Sequence, residues 1–351
     1  MVKEVVFAVP GDIATATGGY GYDRRIMAEL PALGWQPRLL DLGEGFPRPT
    51  AAVRAAAEAA LAALAPAASI VVDGLAFGVL PEVAATLSST HRLVALVHHP
   101  LALETGLSAG EAEMLRASER AALACARRVI ATSAATARLL AADYGVPTVR
   151  LAIVRPGTDR ITLPRARERT GATTLLAVGA VVPRKGYDVL VAALAKLCDL
   201  PWRLIIVGDR DRNPETSERL DIEIARRGLA GRIEFAGAVA PERLSAFYTV
   251  ADLFVLASHF EGYGMAYAEA IAHGVPVVGT TGGAIPDTVP PSAGVLLPPG
   301  DADALAATLW RLIESPAERA KLAAGARAAA AALPSWPQSA KLFAQVLDGL
   351  A

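Results

Sequence analysis

Two carboxylates frame a glycine-containing turn in the C-terminal half of the chain. Glu261 and Glu269 are separated by seven residues in the segment EGYGMAYAE. We expect a helix to begin near Gly264 and to end at Gly274, which suits a C-terminal cap. Glu261 then lies in the loop before the helix, and Glu269 lies more than one turn inside it. Backbone N–H groups at a helix start attract an anion, and carboxylates accept hydrogen bonds from sugar hydroxyls.

Two adjacent cations, Arg184 and Lys185, follow the end of another predicted strand. Their segment GAVVPRKGYDVL begins at Gly179, directly after the apolar run 174–178. Cations in such a loop can neutralise a diphosphate, although an ordinary surface turn could have the same composition. Together with the paired glutamates, they indicate a ligand that carries both phosphate and hydroxyl groups.

A glycine-containing run in the N-terminal half has a second possible phosphate contact. Residues 11–21 read GDIATATGGYG, and we expect a helix from about Asp23. Glycines such as Gly19 would let backbone N–H groups approach a phosphate. The run fails the dinucleotide pattern GxGxxG, because Arg24 occupies the position of the third glycine.

Two histidines, His98 and His99, follow the apolar run Leu93–Val97. Adjacent side chains point in different directions, so at most one of them would serve a site. No third ligand for a metal ion is evident, and we therefore predict no metal site.

Ten short apolar runs alternate with longer stretches rich in Ala, Leu and Arg. Most runs are continuous rather than alternating, which is typical of strands covered by helices on both faces. The pattern occurs twice and predicts an α/β fold of two Rossmann-like domains with parallel sheets facing a central cleft. The runs are Glu4–Val9, Ala68–Val72, Leu93–Val97, Arg128–Ala131, Thr148–Val154, Thr174–Val178, Arg203–Val207, Arg232–Phe235, Leu253–Leu256 and Val275–Val278.

A segment rich in Pro, Gly and charge, residues 155–171, separates the two series and is interpreted as a linker. We therefore expect an N-terminal domain over residues 1–155 and a C-terminal domain over residues 156–335. The last helix, about 336–351, is expected to pack back on the N-terminal domain, because Pro334 and Pro337 could turn the chain.

Composition excludes several classes of protein. The chain has 351 residues, 53% hydrophobic and 20% charged, which is unlike a disordered chain. A net charge of −1 argues against binding nucleic acid through overall charge. The start of the sequence lacks the layout of a signal peptide, and no segment qualifies as a membrane span. Cys125 and Cys198 are interpreted as buried thiols and suit a reducing cytoplasm, where we expect the protein.

The C-terminal half resembles the family 4 glycosyltransferases, which are retaining enzymes of the GT-B fold. The strongest motif is the family's Glu-x7-Glu, matched by Glu261 and Glu269. The segment GTTGGAIPD from Gly279 is similar to the family's GG-x-P-E, with Asp287 in place of the usual Glu, and Val182–Gly186 matches its Lys-Gly turn. Residues Gly18-Gly19, His98 and 154–159 also have counterparts, so the resemblance extends over nearly the whole chain.

The resemblance implies roles for matching positions. Glu261 would hold donor-sugar hydroxyls, Glu269 would bind the nucleotide ribose, and Lys185 would neutralise the diphosphate. His98 would lie near the reacting centre, so that His98, Glu261 and Lys185 are the catalytic candidates. Further donor contacts are implied for Gly19, Arg184, Val239, Gly262, Tyr263, Gly264, Met265 and Glu269.

One departure concerns the diphosphate. The family usually carries Arg after the glycine that matches Gly179, and here the residue is Ala180. We hypothesise that Arg184 compensates. Asp209-Arg-Asp211 matches the Asp-x-Asp motif of metal-dependent transferases, but it follows a strand of the C-terminal domain, where we interpret it as a polar loop.

The resemblance implies a metal-independent hexosyltransferase without a cofactor, which uses a UDP- or GDP-sugar as co-substrate. Its acceptor would be a glycan, a small molecule or a lipid-linked molecule. Peripheral membrane contact is possible but not indicated, because the candidate helix 111–128 mixes acids with its arginines. The alternatives are a sugar-nucleotide epimerase of the same fold and a non-catalytic sugar-nucleotide binder. A dehydrogenase is disfavoured because the run 11–21 fails the glycine pattern and because Tyr267 occupies the third-glycine position after Gly262-Tyr-Gly264.

Overall fold

The computed structural model describes residues 3–159, 161 and 171–350. They form two compact units. Unit 1 comprises Met1–Gly157 and Pro334–Ala351, and unit 2 comprises Thr158–Leu333. Most of the predicted linker 155–171 lies outside the described residues.

Unit 1 is a six-stranded parallel sheet with helices between its strands. The sheet has the order β2-β1-β3-β4-β5-β6. The strands β1, β3 and β4 are almost entirely buried because helices cover both of their faces. The elements are β1 (Lys3–Val9), α1 (Gly18–Glu29), β2 (Trp35–Asp41), α2 (Ala51–Ala62), β3 (Ser69–Asp73), α3 (Gly74–Phe77), α4 (Pro81–Ser88), β4 (Arg92–Val97), α5 (Ala109–Cys125), β5 (Arg128–Ala131), α6 (Ala134–Asp143) and β6 (Leu151–Ile153).

Unit 2 repeats this architecture with a second six-stranded parallel sheet. Its strand order is β12-β11-β10-β7-β8-β9, so β10 and β7 are neighbours although 74 residues separate their ends in sequence. The elements are β7 (Thr173–Val178), α7 (Tyr187–Leu194), β8 (Trp202–Val207), α8 (Pro214–Arg226), β9 (Ile233–Gly237), α9 (Pro241–Val250), β10 (Leu253–Val255), α10 (Met265–Ala272), β11 (Val277–Thr280), α11 (Ile285–Thr288), β12 (Gly294–Leu297), α12 (Ala302–Glu314) and α13 (Pro316–Ala330).

The last helix, α14 (Trp336–Asp348), packs on unit 1. Phe343 stacks on Phe7 of β1 with ring centroids 5.7 Å apart, and Trp336 meets Tyr22 edge-on at 6.1 Å. The close approach requires a glycine at position 157, because a Cβ there would lie 2.4 Å from the backbone nitrogen of Trp336. The C-terminal segment thus completes the core of the N-terminal unit.

The prediction of an α/β fold with two parallel sheets is confirmed. The structure also contains two edge strands, β2 and β12, that the sequence analysis did not predict. β2 reads WQPRLLD and is largely exposed, so it lacks a continuous apolar run. Edge strands tolerate proline and polar residues because one side of the ladder has no partner. β12 is the matching edge of the second sheet, and its sequence GVLL is only four residues long.

Helix α1 begins at Gly18, five residues before the predicted start. The hydroxyl of Thr17 accepts a hydrogen bond from the backbone N–H of Tyr20 at 3.1 Å and caps the helix. Gly18 and Gly19 therefore lie in the first helical turn rather than in a loop. The predicted strand Thr148–Val154 is also shorter, because residues 148–150 form a 3₁₀ turn and only Leu151–Ile153 pair with β5.

The prediction of two buried thiols is wrong. Cys198 is exposed and Cys125 is half-buried. Each sulfhydryl donates to a carbonyl in the preceding turn, Cys125 to Ala121 at 3.6 Å and Cys198 to Ala195 at 3.2 Å. Within the described parts of the chain, no helix has both the length and the apolar character required to cross a bilayer.

Glu119 on α5 makes the stability of unit 1 depend on pH. Its side chain is buried and accepts a hydrogen bond from the backbone N–H of Leu101 at 3.0 Å. Burial raises the pKa of Glu119 to about 8. The folded state therefore keeps a proton that the unfolded chain releases near pH 4.3, and the free energy of unfolding falls as pH rises between these values.

We expect Glu119→Gln to remove that fall, because the amide oxygen still accepts from Leu101 and the side chain no longer ionises. The variant should gain a few kcal/mol relative to the wild type between pH 5 and pH 9, measured by urea unfolding. The control is Glu113→Gln on the exposed face of the same helix. Identical pH slopes for wild type and Glu119→Gln would contradict the prediction.

Candidate functional site

Glu261 is the centre of a charged cluster in unit 2. The residue follows β10 and is almost fully buried. Its Oε1 accepts hydrogen bonds from Nζ of Lys185 at 2.6 Å and from Oγ of Ser258 at 2.7 Å. Its Oε2 accepts from Nη1 of Arg184 at 3.1 Å. The structure therefore brings together Glu261, Lys185 and Arg184, all three of which the sequence analysis selected.

The electrostatics of this cluster favour an anion. Burial alone would raise the pKa of Glu261, but Lys185 and Arg184 lower it to about 2. The glutamate is thus a permanent carboxylate at neutral pH. Since two cations face one carboxylate, the formal charge of the three side chains is +1, in a place with little solvent to screen it.

The cluster depends on two loops that approach each other closely. Gly186 has a φ of +64° and ends the turn that carries Arg184 and Lys185, and a Cβ there would lie 2.1 Å from the carbonyl oxygen of Ala257. Only glycine tolerates both the positive φ and the close contact with Ala257. On the other side, the N–H of Ala284 donates to the carbonyl of Glu261 at 2.8 Å. The GG segment thus fixes the backbone of the glutamate loop.

Glu269 lies in α10 and has a different environment. Its Oε2 accepts a hydrogen bond from the hydroxyl of Tyr248 at 2.8 Å. Burial raises the pKa of Glu269 to about 7, although the Tyr248 hydrogen bond opposes the shift. The ring of Tyr248 stacks on His273 at 4.7 Å, which anchors it against the same helix. The two glutamates of the motif therefore differ: one is ionised throughout, and the other titrates near neutrality.

The turn between the two glutamates leads directly into α10. The helix begins where the sequence predicts: Gly264 is its N-cap, with a φ of +89°, and the helical residues run from Met265 to Ala272. Tyr263 is buried, and its carbonyl accepts a hydrogen bond from the hydroxyl of Thr288 at 2.6 Å. Gly262 is buried beside it, while Met265 is half-buried. The backbone that carries the N–H groups at the start of α10 is therefore held in place by these contacts.

Two other segments of unit 2 were selected from the sequence. Val239 follows β9, is half-buried and packs on the edge of the core. In the Asp-x-Asp segment, Asp209 accepts a hydrogen bond from the N–H of Asp211 at 2.8 Å, and Arg210 between them pairs with Asp221 at 2.5 Å. These contacts are those of a polar loop.

In unit 1, His98 lies between two aspartates. Its Nε2 is 3.2 Å from Oδ1 of Asp23 and 3.3 Å from Oδ2 of Asp73. Gly19 lies against the ring, where a Cβ would be 3.1 Å from Cδ2 of His98. His99 faces another way, with Nε2 3.3 Å from Oε2 of Glu104. Among the described residues, Asp23, Asp73 and His98 are the one group spaced closely enough to hold a metal ion.

Burial and charge act against each other in this histidine cluster. Burial opposes the charged form of His98, yet the two aspartates raise its pKa to about 10. Burial raises the pKa of Asp23 to about 6, against the attraction of His98. The two aspartates therefore favour the charged form of His98.

Sequence reasoning missed four residues at these clusters: Ser258, Tyr248, Asp23 and Asp73. Asp73 ends the apolar strand β3, and an acid at a strand end is a signal that could have been used. Asp23 was noted only as a helix start. Ser258 lies in the same loop as Glu261, three residues before it, so its hydroxyl contact is local in sequence. The role of Tyr248 depends on a contact between α9 and α10, which follow different strands, and no local pattern reveals it.

Models of two families match consecutive parts of the chain. The family described as Glycosyltransferase Family 4 matches residues 24–160, and the family described as Glycosyl transferases group 1 matches residues 160–329. The chain is 33% identical over 234 residues to D-inositol 3-phosphate glycosyltransferase from Thermomonospora curvata. This alignment covers 59% of the present chain and 54% of the relative. Three D-inositol 3-phosphate glycosyltransferases and the MMP alpha-(1->4)-mannosyltransferase of Mycolicibacterium hassiacum are matched over 54–62% of their own lengths.

Two solved structures show the same fold over nearly all of the chain. Sucrose-phosphate synthase from Thermosynechococcus elongatus has a TM-score of 0.83 at 23% identity and covers 99% of both chains. Anabaena HepE, solved with UDP and glucose, has a TM-score of 0.76 at 19% identity and covers 97% of this chain and 99% of that one. At these identities the likeness concerns architecture.

Proposed function

We propose, because this chain belongs to the family 4 glycosyltransferases, that it is a retaining hexosyltransferase. It takes the sugar from a UDP- or GDP-sugar and transfers it to a hydroxyl of a glycan, a small molecule or a lipid-linked acceptor. The GT-B fold and the relatives named above support this class of activity, and the solved relative that holds UDP and glucose supports a nucleotide-sugar donor.

The observation that carries the proposal is the cluster of Lys185, Arg184 and Glu261. Cleavage of a nucleotide sugar leaves a diphosphate and an oxocarbenium-like sugar. Stabilising the diphosphate requires positive charge and oriented N–H donors. The two cations supply the charge, the start of α10 supplies the donors, and Glu261 beside them supplies a carboxylate for sugar hydroxyls. Glu269 is the proposed partner of the ribose, and Val239 lies in the loop proposed to hold the base.

The state of Glu261 also bears on stereochemistry. Both of its oxygens already accept hydrogen bonds from Lys185, Arg184 or Ser258, which makes it a poor nucleophile. We propose instead that the acceptor attacks from the face that the diphosphate leaves, and that the diphosphate helps to remove the acceptor's proton. Unit 1 would bind the acceptor, and His98 would contact the substrate there.

A thermal-shift panel with UDP, GDP, ADP and NAD, each with and without Mg²⁺, tests the proposal. A ligand at about 100 times its Kd adds roughly 2.7 kcal/mol, which moves the Tm by several degrees. We expect one nucleoside diphosphate to raise the Tm, and to raise it equally with and without Mg²⁺. Asp209→Asn should leave that shift unchanged. A response to NAD alone, or to none of the four, would overturn the proposal.

The pKa of Glu269 leads to a pH prediction for nucleotide binding. Ribose hydroxyls donate to the carboxylate, so binding favours its ionised form. With a pKa of about 7, the affinity for the nucleoside diphosphate should rise about tenfold from pH 6 to pH 8 through this group. Calorimetry on the wild type and on Glu269→Gln isolates the effect, because the phosphate's own titration is common to both. Equal pH slopes in the two proteins would contradict the ribose role.

A further inference from the structure

The ring of His98 is enclosed on three sides within unit 1. Gly19 in the first turn of α1 contacts the Cδ2 edge, and Tyr22 meets the ring edge-on with centroids 5.4 Å apart. Asp23 from α1 and Asp73 from the end of β3 face Nε2. Nε2 is buried, while 20% of the side chain remains exposed. Since Nδ1 and Cε1 form the edge opposite Cδ2, we infer that this edge accounts for the exposed part of the ring.

The two aspartates set the proton on Nε2. A lone pair there would face two carboxylate oxygens at 3.2 and 3.3 Å, which is repulsive. Asp23 is fully buried, and neither of its oxygens makes a hydrogen bond to the described residues. A buried carboxylate needs a compensating charge. An imidazolium supplies this charge, because its Nε2 is 3.2 Å from one oxygen of Asp23 and 3.3 Å from one oxygen of Asp73.

The other groups that face the cluster do not replace His98. The hydroxyl of Tyr22 donates to the carbonyl of Val154 at 3.1 Å. Burial raises the pKa of Tyr22 well above its ordinary value, so this hydroxyl stays neutral. Arg24 attracts Asp23 electrostatically, but its guanidinium donates to backbone carbonyls, including that of Thr15 at 3.2 Å. Asp73 accepts a hydrogen bond from the N–H of Leu75 at 2.8 Å.

We propose that Asp23 and Asp73 are positioning residues that hold His98 as an imidazolium, with Nε2–H directed at the carboxylates and Nδ1–H offered to an oxygen of the bound ligand. His98 then acts as a charged hydrogen-bond donor and not as a general base. A charge-assisted donor is about twice as strong as a neutral one. The charge state follows from contacts within unit 1, whereas the use of Nδ1–H on a substrate oxygen rests on the proposed function.

NMR of the imidazole nitrogens tests the charge state without reference to activity. The chain has five histidines, and comparison with His98→Gln assigns the signals of His98. We expect the wild-type ring to stay an imidazolium at pH 8, since its pKa is about 10. Asp23→Asn and Asp73→Asn should each lower this pKa toward the ordinary value of about 6.5. Two variants are used so that a folding defect in one leaves the other, with circular dichroism as the check.

The matched control is Glu104→Gln, which alters the more exposed carboxylate beside His99 and should leave the His98 signals in place. Three results would overturn the proposal. They are a wild-type His98 that titrates near pH 6.5, an unchanged His98 in both aspartate variants, and stoichiometric metal in the purified protein that metal analysis shows to be lost from Asp23→Asn.

The pH profile of sugar transfer tests the use of the donor. If an imidazolium is required, activity falls as pH rises through the pKa of His98. The wild type should keep its activity to about pH 9, and Asp23→Asn should lose it near neutrality. An absence of transferase activity in the wild type would count against the proposed function, whereas a neutral His98 in the NMR spectrum would count against the positioning role. The two failures are therefore distinguishable.

Discussion

Replacing Glu261 with glutamine is expected to lower the rate of sugar transfer by about a hundredfold to a thousandfold. The glutamine keeps one acceptor oxygen but presents an NH₂ group to one of the two cations. Lys185 and Arg184 would lose the carboxylate that fixes them at 2.6 and 3.1 Å. Both the contact to the donor sugar and the position of the two cations would then change. The readout is release of nucleoside diphosphate at saturating donor and acceptor.

The fall should appear in kcat more than in KM if Glu261 acts on the reacting sugar. The control is Glu314→Gln, an exposed glutamate on α12 of the same unit. Circular dichroism and Tm establish that the variant is folded, because removal of one member of a buried charge cluster also destabilises. A folded Glu261→Gln protein that retains activity within a few-fold of wild type would contradict its catalytic assignment.

The predictable part of the molecule is the part that depends on local sequence. Continuous apolar runs indicated buried strands, and Gly264 and Gly274 marked the two ends of α10. The start of α1 was misplaced because two glycines are poor helix formers, and only the Thr17 cap explains why they are helical. β2 was missed because an edge strand need not be apolar.

The candidate site was predictable as residues but not as contacts. Glu261 and Lys185 were each assigned to the donor, yet their direct ion pair depends on β7 and β10 being neighbours in the sheet. The pairing of Asp23 and Asp73 with His98 likewise requires that α1 and the ends of β3 and β4 meet. These are consequences of strand order, and a single sequence contains no local pattern for strand order.

Loss of either cation should weaken binding of the nucleoside diphosphate. A charge-assisted hydrogen bond contributes about 1.5–3 kcal/mol, so we expect Lys185→Ala and Arg184→Ala each to raise the Kd by about ten- to a hundredfold. The nucleoside without phosphates should bind all three proteins alike, because it lacks the charge that the cations meet. Calorimetry with the responding nucleoside diphosphate and with its nucleoside gives both comparisons.

The case of Arg184 separates two roles. Its guanidinium donates to Oε2 of Glu261 at 3.1 Å and to the carbonyl of Phe260 at 2.8 Å, so it could serve only to hold the glutamate loop. If it instead compensates for the missing arginine at position 180, Ala180→Arg should restore diphosphate affinity to Arg184→Ala. Unchanged affinity in Arg184→Ala, or weakened affinity that Ala180→Arg does not restore, would count against compensation. Restoration would mean that the diphosphate requires two cations. Arg184, in the turn after the strand, would then replace the arginine that the family usually has at position 180.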